Sequence, residues 1–290
     1  MANLESIINS KAQNDANWKA QQQAERENTV AMRDSGITAV TSDPKLYGAY
    51  LQLQGDNPSY SAGNIVLCLT QLDHPTLVGT REKWRSVGRY VVDAAKGSGA
   101  TIFVRPSSPN ARGYNLGIAY DISQTQGRDV SVVRLEDDTP NMERALATLM
   151  NYAPVPIETN HEIKQPAYYD EMNMIIRVNP NYDDKSAFAG IATEIALARL
   201  HNRGRNNYFV RDESLLDADS VSYLLCRRFG IERPLPDASK VAELNEGISV
   251  EGRSNVLNHV QDMAKQIGSS IDRHINPPQR AHNLSSRPER

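Results

Sequence analysis

Cysteine is scarce: two residues, Cys68 and Cys226, in 290. They lie far apart, each inside an apolar stretch of helical spacing, so a zinc ribbon, a redox pair and a disulfide framework are all excluded, and buried free thiols are expected. Long hydrophobic runs are also absent. No stretch approaches the roughly 18–20 apolar residues that span a bilayer. The opening "MANLESIINSKAQND" lacks the basic-then-apolar order of a secretory signal. A cytoplasmic protein with no membrane partner is the expectation. A large excess of positive charge is missing too: the net charge is −3. That argues against a chain that coats nucleic acid indiscriminately, but a local basic face stays open, because counterion release depends on the charges at the contact.

The remaining composition is that of a packed protein, 39% hydrophobic and 23% charged, and 290 residues suffice for two domains of ordinary size. Residues 1–42 are polar and Gln/Asn-rich and read as a mobile arm or a loosely docked helix. Asp43-Pro44 is a helix start, an acidic N-cap followed by proline in the first turn. Helices "PKLYGAYLQLQG" and "NIVLCLTQL" follow, then a helical turn "REKWRSVGR" and strands "ATIFVRP", "YNLGIAYDI" and "RDVSVVRLE". The acidic "EDDTPNME" marks a boundary, with Asp138 or Thr139 capping the helix "NMERALATLMNY". Beyond it, "AYYDEMNMIIRVNP" reads as a hairpin turning at Asp170-Glu171, followed by helices near 184–201, 212–229 and 250–275. The Pro/Ser/Arg-rich tail is expected to be disordered. The expected organisation is an arm at 1–42, an α+β domain at 43–135, a second α+β domain at 136–275, and a tail at 276–290.

Hairpin, helix, loop, helix is an order that resembles the core of a thermolysin-like zinc peptidase. There the first helix carries H-E-x-x-H: two histidines one turn apart hold zinc, and the glutamate activates the bound water. The next helix adds an acidic ligand. On that pattern Glu194 stands at the base position, while Thr193 and Leu197 stand at the histidine positions and Leu215 at the third ligand. Threonine is a weak neutral donor and leucine offers none. A shifted site using His201 with Glu194, Asp217 or Asp219 is the alternative. Otherwise Leu197 and Leu215 fill the former cavity, and Glu194 bonds to backbone or to an arginine.

The N-terminal part resembles the single-stranded-DNA-binding domain of ArdC-type plasmid antirestriction proteins and of LtrC-like proteins of conjugative elements. The residues that carry the resemblance are Tyr60-Ser61-x-x-Asn64-x-x-Leu67, Gln71, Val78-Gly79, Trp84, Gly88-Arg89 and "ATIFVRP", with "LGIAYDISQTQG" further on. The C-terminal part resembles the same proteins' ImmA/IrrE-like metallopeptidase domain, through "AYYDEMNMIIRVNP", the helix around Glu194 and "DADSVSYLLCRRFGI". The resemblance spans about residues 43–275. It implies an α+β fold in which a single-stranded-DNA-binding-like domain precedes a zincin-like one, and a role in antirestriction or conjugation on a mobile genetic element.

Two departures qualify it. Zinc is the family's metal, yet its ligands are absent here, so no cofactor is expected and the peptidase domain reads as a pseudoenzyme, with Glu194 a relic base. The family's basic loop is replaced by "VVDAAKGSGA", in which Lys96 is the one cation and Asp93 adds negative charge.

Single-strand binding needs cations along phosphates and aromatic faces under bases. Candidate contacts are Tyr60, Asn64, Arg81, Lys83, Trp84, Arg85, Arg89 and Lys96, with Arg105, Arg112, Tyr90 and Tyr114 nearby. Trp84 and Asn64 can instead be structural, the one packing on the core and the other fixing a turn. Two further functions stay open: a protein-interaction module whose relic cleft takes a peptide by strand addition along 172–178, and an active metallopeptidase with non-standard ligands.

Overall fold

The structure, a computed structural model, describes residues 3–106, 112–202 and 204–276. In chain order the elements are helices α1 (Leu4–Val40), α2 (Pro44–Asp56) and α3 (Ala62–Gln71), strand β1 (Val78–Thr80), helix α4 (Arg81–Ser86), and strands β2 (Arg89–Val91), β3 (Ala100–Val104), β4 (Asn115–Asp121) and β5 (Thr125–Gly127). There follow helix α5 (Pro140–Met150), strands β6 (Ile157–Thr159), β7 (Ala167–Asp170) and β8 (Ile175–Val178), and helices α6 (Asp184–Leu200), α7 (Arg211–Arg228), α8 (Val241–Leu244) and α9 (Val250–Ile275). The architecture is mixed α+β. None of the helices among the described residues is long and apolar enough to cross a membrane.

Contacts divide the chain into two units. The first comprises residues 1–132 and 233–262, the second 133–232 and 263–290. Residues 233–262, assigned from sequence order to the second domain, therefore cluster with the first. Specific bonds hold them there: the Arg253 guanidinium donates to the hydroxyls of Thr41 and Ser42, both at 3.0 Å, and the Gln261 amide donates to the Pro58 carbonyl at 3.2 Å. Leu235 packs on Gly48, where a Cβ would lie 3.2 Å from its methyl carbon.

In the first unit, the polar N-terminal segment is one continuous helix. The Asn3 side chain caps α1 by accepting from the Ser6 amide, and the helix runs for 37 residues, about 55 Å at 1.5 Å per residue. Its residues up to 28 are exposed, whereas Gly36, Ile37 and Val40 are buried. Gly36 permits the close approach to α3: a Cβ there would stand 2.5 Å from Val66 Cγ1. Asp43 caps α2 with one oxygen, 2.7 Å from the Lys45 amide and 3.0 Å from that of Leu46. Ile65, Val66, Leu67 and Cys68 of α3 are fully buried.

An antiparallel sheet of order β1-β4-β3 lies beside a two-stranded pair β2-β5. The expected strand over 128–136 does not form. β5 ends at Gly127, where φ is 136° and a Cβ would fall 2.3 Å from the Gly88 carbonyl. Past that point the segment pairs with none of the described strands, despite the alternating valines that suggest one.

In the second unit, Thr139 caps α5, accepting from the Met142 amide at 3.2 Å. A sheet of order β6-β8-β7 pairs β8 in parallel with β6 and antiparallel with β7. The hairpin turns at 171–174, where Asp170 accepts from the Asn173 amide at 3.1 Å. Helix α6 is buried nearly all round, from Phe188 to Ala198. Gly190 lets it approach the sheet, since a Cβ would lie 2.9 Å from Pro166. α7 runs antiparallel to α6, as two side-chain bonds show: Ser222 donates to the Ala189 carbonyl at 2.7 Å and Thr193 to Asp219 at 2.9 Å. The tail read as disordered lies, after Asn276, outside the described residues.

Candidate functional site

Glu194 sits in the middle of α6 and is only 6% exposed. A carboxylate so far from water must find donors within the protein. Two donors make three hydrogen bonds to it. The Tyr169 amide donates to Oε2 at 2.7 Å, and Arg211 Nη2 lies 2.9 Å from Oε1 and 2.8 Å from Oε2. The same guanidinium donates through Nη1 to the Tyr169 carbonyl at 3.1 Å. Its plane lies 4.8 Å from the centre of the Tyr168 ring, and Glu171 is 3.7 Å from Nη1.

Strand geometry explains why Tyr169 is the partner. It is paired with Ile176, whose own amide donates to the Pro156 carbonyl on the far side of β8. The pair is thus of the non-hydrogen-bonded kind, and the amide and carbonyl of Tyr169 point out of the sheet edge. Glu194 and Arg211 satisfy both, as a neighbouring strand would.

Burial pushes the Glu194 carboxyl above its usual range, the nearby Asp219 adds to that push, and the charge and hydrogen bonds of Arg211 with the Tyr169 amide oppose it. The net direction is upward. The carboxylate has both oxygens engaged and a fixed cation beside it, which is a poor arrangement for taking a proton from water.

Thr193, Leu197 and Leu215, the positions expected from the sequence to correspond to zinc ligands, hold side chains that do not fit a metal. The Thr193 hydroxyl is bonded to Asp219 and lies 3.3 Å from the Ala189 carbonyl. Leu197 is fully buried, and Leu215 is 38% exposed rather than filling a cavity. His201 caps the C-terminal end of α6, its ring stacked 4.6 Å from that of Phe209 and its Nδ1 2.8 Å from the Tyr169 hydroxyl. Among the described residues, no group of three or more His, Cys, Asp or Glu side chains converges to hold a metal ion, so His201, Asp217 and Asp219 are not assembled into a shifted site. Asp217 is instead notable for its surroundings: burial pushes its carboxyl up to about 6.

The strand proposed from sequence for peptide addition, 172–178, is not an edge. Its β8 portion lies between β6 and β7. The edges are β6 and β7, and the outward groups of β7 at Tyr169 are those taken by Glu194 and Arg211.

In the first unit, three of the residues expected to contact nucleic acid are committed inside the fold. Trp84 is 3% exposed, and its Nε1 donates to the Tyr120 carbonyl at 3.0 Å. Arg89 is buried. Its guanidinium donates to the Thr125 hydroxyl and carbonyl at 2.8 and 3.0 Å and to the Arg128 carbonyl at 2.6 Å. Asn64 pairs twice with Phe103, donating to its carbonyl at 2.8 Å and accepting from its amide at 2.9 Å. Gln71, two turns along α3, does the same with Thr101, at 3.0 Å both ways. These two amides complete the outer edge of β3.

The other candidates are more accessible. Arg81 is exposed, with Nη2 3.0 Å from the Tyr120 hydroxyl. Lys83 reaches over the Tyr60 ring at 4.7 Å and donates to the Val78 carbonyl at 3.3 Å, and partial burial lowers its pKa. Burial likewise pushes the Tyr60 hydroxyl up to about 12. Arg85 is exposed, and Lys96 is exposed but ion-paired with Asp93 at 2.6 Å. Sequence reading missed Arg211 and Tyr169. One signal was available for the first. An arginine opening a helix opposes the helix dipole and needs an anion nearby.

No protein-family profile matches the chain, and no curated protein matches it either. Among solved structures, the chain is similar to the Mn(II)-bound form of the antirestriction protein ArdC from the R388 plasmid. That likeness has 16% identity and a TM-score of 0.47, covering 76% of this chain and 86% of that one. The metal-free form of the same protein gives 13% identity and a TM-score of 0.44, covering 74% of this chain and 85% of that one.

Proposed function

We propose that the protein is a catalytically inactive, metallopeptidase-like protein of a mobile genetic element, acting in the cytoplasm in an antirestriction or conjugation accessory role and binding single-stranded DNA through its first unit. The non-catalytic half of this reading is carried by the bond between Glu194 and Arg211. In a zinc peptidase the corresponding carboxylate faces a metal-bound water; here a guanidinium and a backbone amide take its oxygens. The DNA-binding half rests on the family resemblance carried by Tyr60-Ser61-x-x-Asn64, Gln71 and Trp84, of which Asn64, Gln71 and Trp84 serve the fold here, and is supported by the exposed cations Arg81, Lys83, Arg85 and Lys96.

A protein partner in the relic cleft is the alternative use of the second unit. A peptide adding to β7 would first have to displace Glu194 and Arg211 from Tyr169.

Fluorescence anisotropy of labelled oligo-dT, titrated at rising salt, tests the binding reading. Each phosphate contact removed by Arg81→Ala, Arg85→Ala or Lys96→Ala should flatten the plot of log affinity against log salt by roughly 0.7. Absence of binding at low salt removes the reading.

A further inference from the structure

Strands β3 and β4 carry large apolar side chains on both faces, with Thr101 the polar residue of the face that holds Phe103. The pairings Phe103 with Leu116 and Thr101 with Ile118 put these four side chains on one face, with the buried Tyr120 beyond them. The opposite face carries Ala100, Ile102 and Ala119, all fully buried. A sheet with one solvated face ordinarily presents polar side chains on it. This one presents Ile118 at 40% exposure, with Phe103 and Leu116 half-buried beside it.

Two cations border that face, each over an aromatic ring. The guanidinium of Arg33 lies 5.9 Å from the centre of the Phe103 ring, and that of Arg81 lies 5.3 Å from the centre of the Tyr120 ring. Arg105, just past β3, is exposed. Two acids accompany these cations: Asp34 is bonded to Arg33 at 2.8 Å, and Glu82, beside Arg81 in the chain, interacts with it electrostatically. The outer edge of β3 is already closed by the Asn64 and Gln71 amides, so the face, and not that edge, is what the sheet offers. A flat apolar surface with an aromatic ring and bordering guanidinium groups fits stacked bases flanked by phosphates.

We infer that single-stranded nucleic acid lies on the outer face of the β1-β4-β3 sheet, with bases on Phe103, Leu116 and Ile118 and phosphates toward Arg33 and Arg81. This rests on the single-strand reading above and replaces the buried Trp84 with Phe103 as the stacking surface.

The test is anisotropy of labelled oligo-dT with wild type, Ile118→Glu, Phe103→Leu and Arg85→Ala, each checked for an unchanged melting transition. Ile118→Glu sets a carboxylate on the face, and Phe103→Leu keeps apolar volume while removing the ring. Losing the stacking of one base predicts a drop of about fivefold or more for each. Phe103→Leu alone carries the test if Ile118→Glu melts early. Wild-type binding left unaltered by the face variants but weakened by Arg85→Ala overturns the placement and leaves the single-strand reading standing. No wild-type binding at low salt overturns both.

Discussion

Arg211, the first residue of α7, and Glu194, in the middle of α6, are joined at 2.8 Å with the carboxylate nearly closed off from water. The two side chains also bracket one residue of β7, Glu194 accepting from the Tyr169 amide and Arg211 donating to its carbonyl. The bond ties strand β7 to both helices, α6 and α7.

Removing one partner should therefore cost far more than removing both. Arg211→Met leaves a buried carboxylate uncompensated and should lower stability by about 3 kcal/mol or more. Glu194→Gln should cost less, because its amide oxygen can still accept from Tyr169. The double variant should recover part of the loss. Chemical denaturation of the four proteins as a double-mutant cycle measures the coupling; additive losses would mean the pair is not a unit.

Asn64→Ala strips Phe103 of both a donor and an acceptor, and Gln71→Ala does the same to Thr101. Each should lower stability by about 1–3 kcal/mol through unsatisfied backbone groups. Oligonucleotide affinity of the protein that stays folded should be unaltered. Melting temperatures and anisotropy on the same samples decide this. A variant that keeps full stability while losing binding would make the amide a nucleic-acid contact.

Asp217 gives stability a pH dependence of known sign. Burial raises its folded pKa from 3.8 to about 6, so between these values the folded chain holds a proton that the unfolded chain has lost. The contribution is fully present below the unfolded value and fades as pH rises through about 6, by at most about 3 kcal/mol. Asp217→Asn should flatten the loss between pH 4 and pH 7 and stabilise the protein at neutral pH. Denaturant midpoints across that range are the check, and parallel curves for the two proteins would contradict it.

Local chemistry in the sequence reads directly from residue 139 onward. Thr139-Pro140 starts a helix, the Asp170 turn closes a hairpin, and the helices expected near 184–201, 212–229 and 250–275 appear at 184–200, 211–228 and 250–275. What sequence spacing hides is tertiary pairing. Glu194 and Arg211 are 17 residues apart on different helices, and the guanidinium arrives only because α7 folds back along α6. Asn64 and Gln71 read as a binding motif because polar amides at two-turn spacing look the same whether they face a ligand or a strand edge. Trp84 and Arg89 sit within a run of cations, yet the Tyr120 carbonyl and the β5 backbone claim them. Residues 4–28 show only weak helical spacing, around Trp18 and Ala24, too little to distinguish the exposed helix they form from an unstructured arm.

Zinc binding tests most directly whether Glu194 is a structural anchor or a metal-dependent base. Protein purified without chelator, then dialysed against Zn(II), should hold less than about a tenth of an equivalent, since a four-coordinate site needs ligands that Thr193, Leu197 and Leu215 do not supply. Its melting temperature should not move with added metal, and Glu194→Gln should behave the same way. About one equivalent of zinc, bound with a rise in melting temperature that Glu194→Gln abolishes, would contradict the assignment.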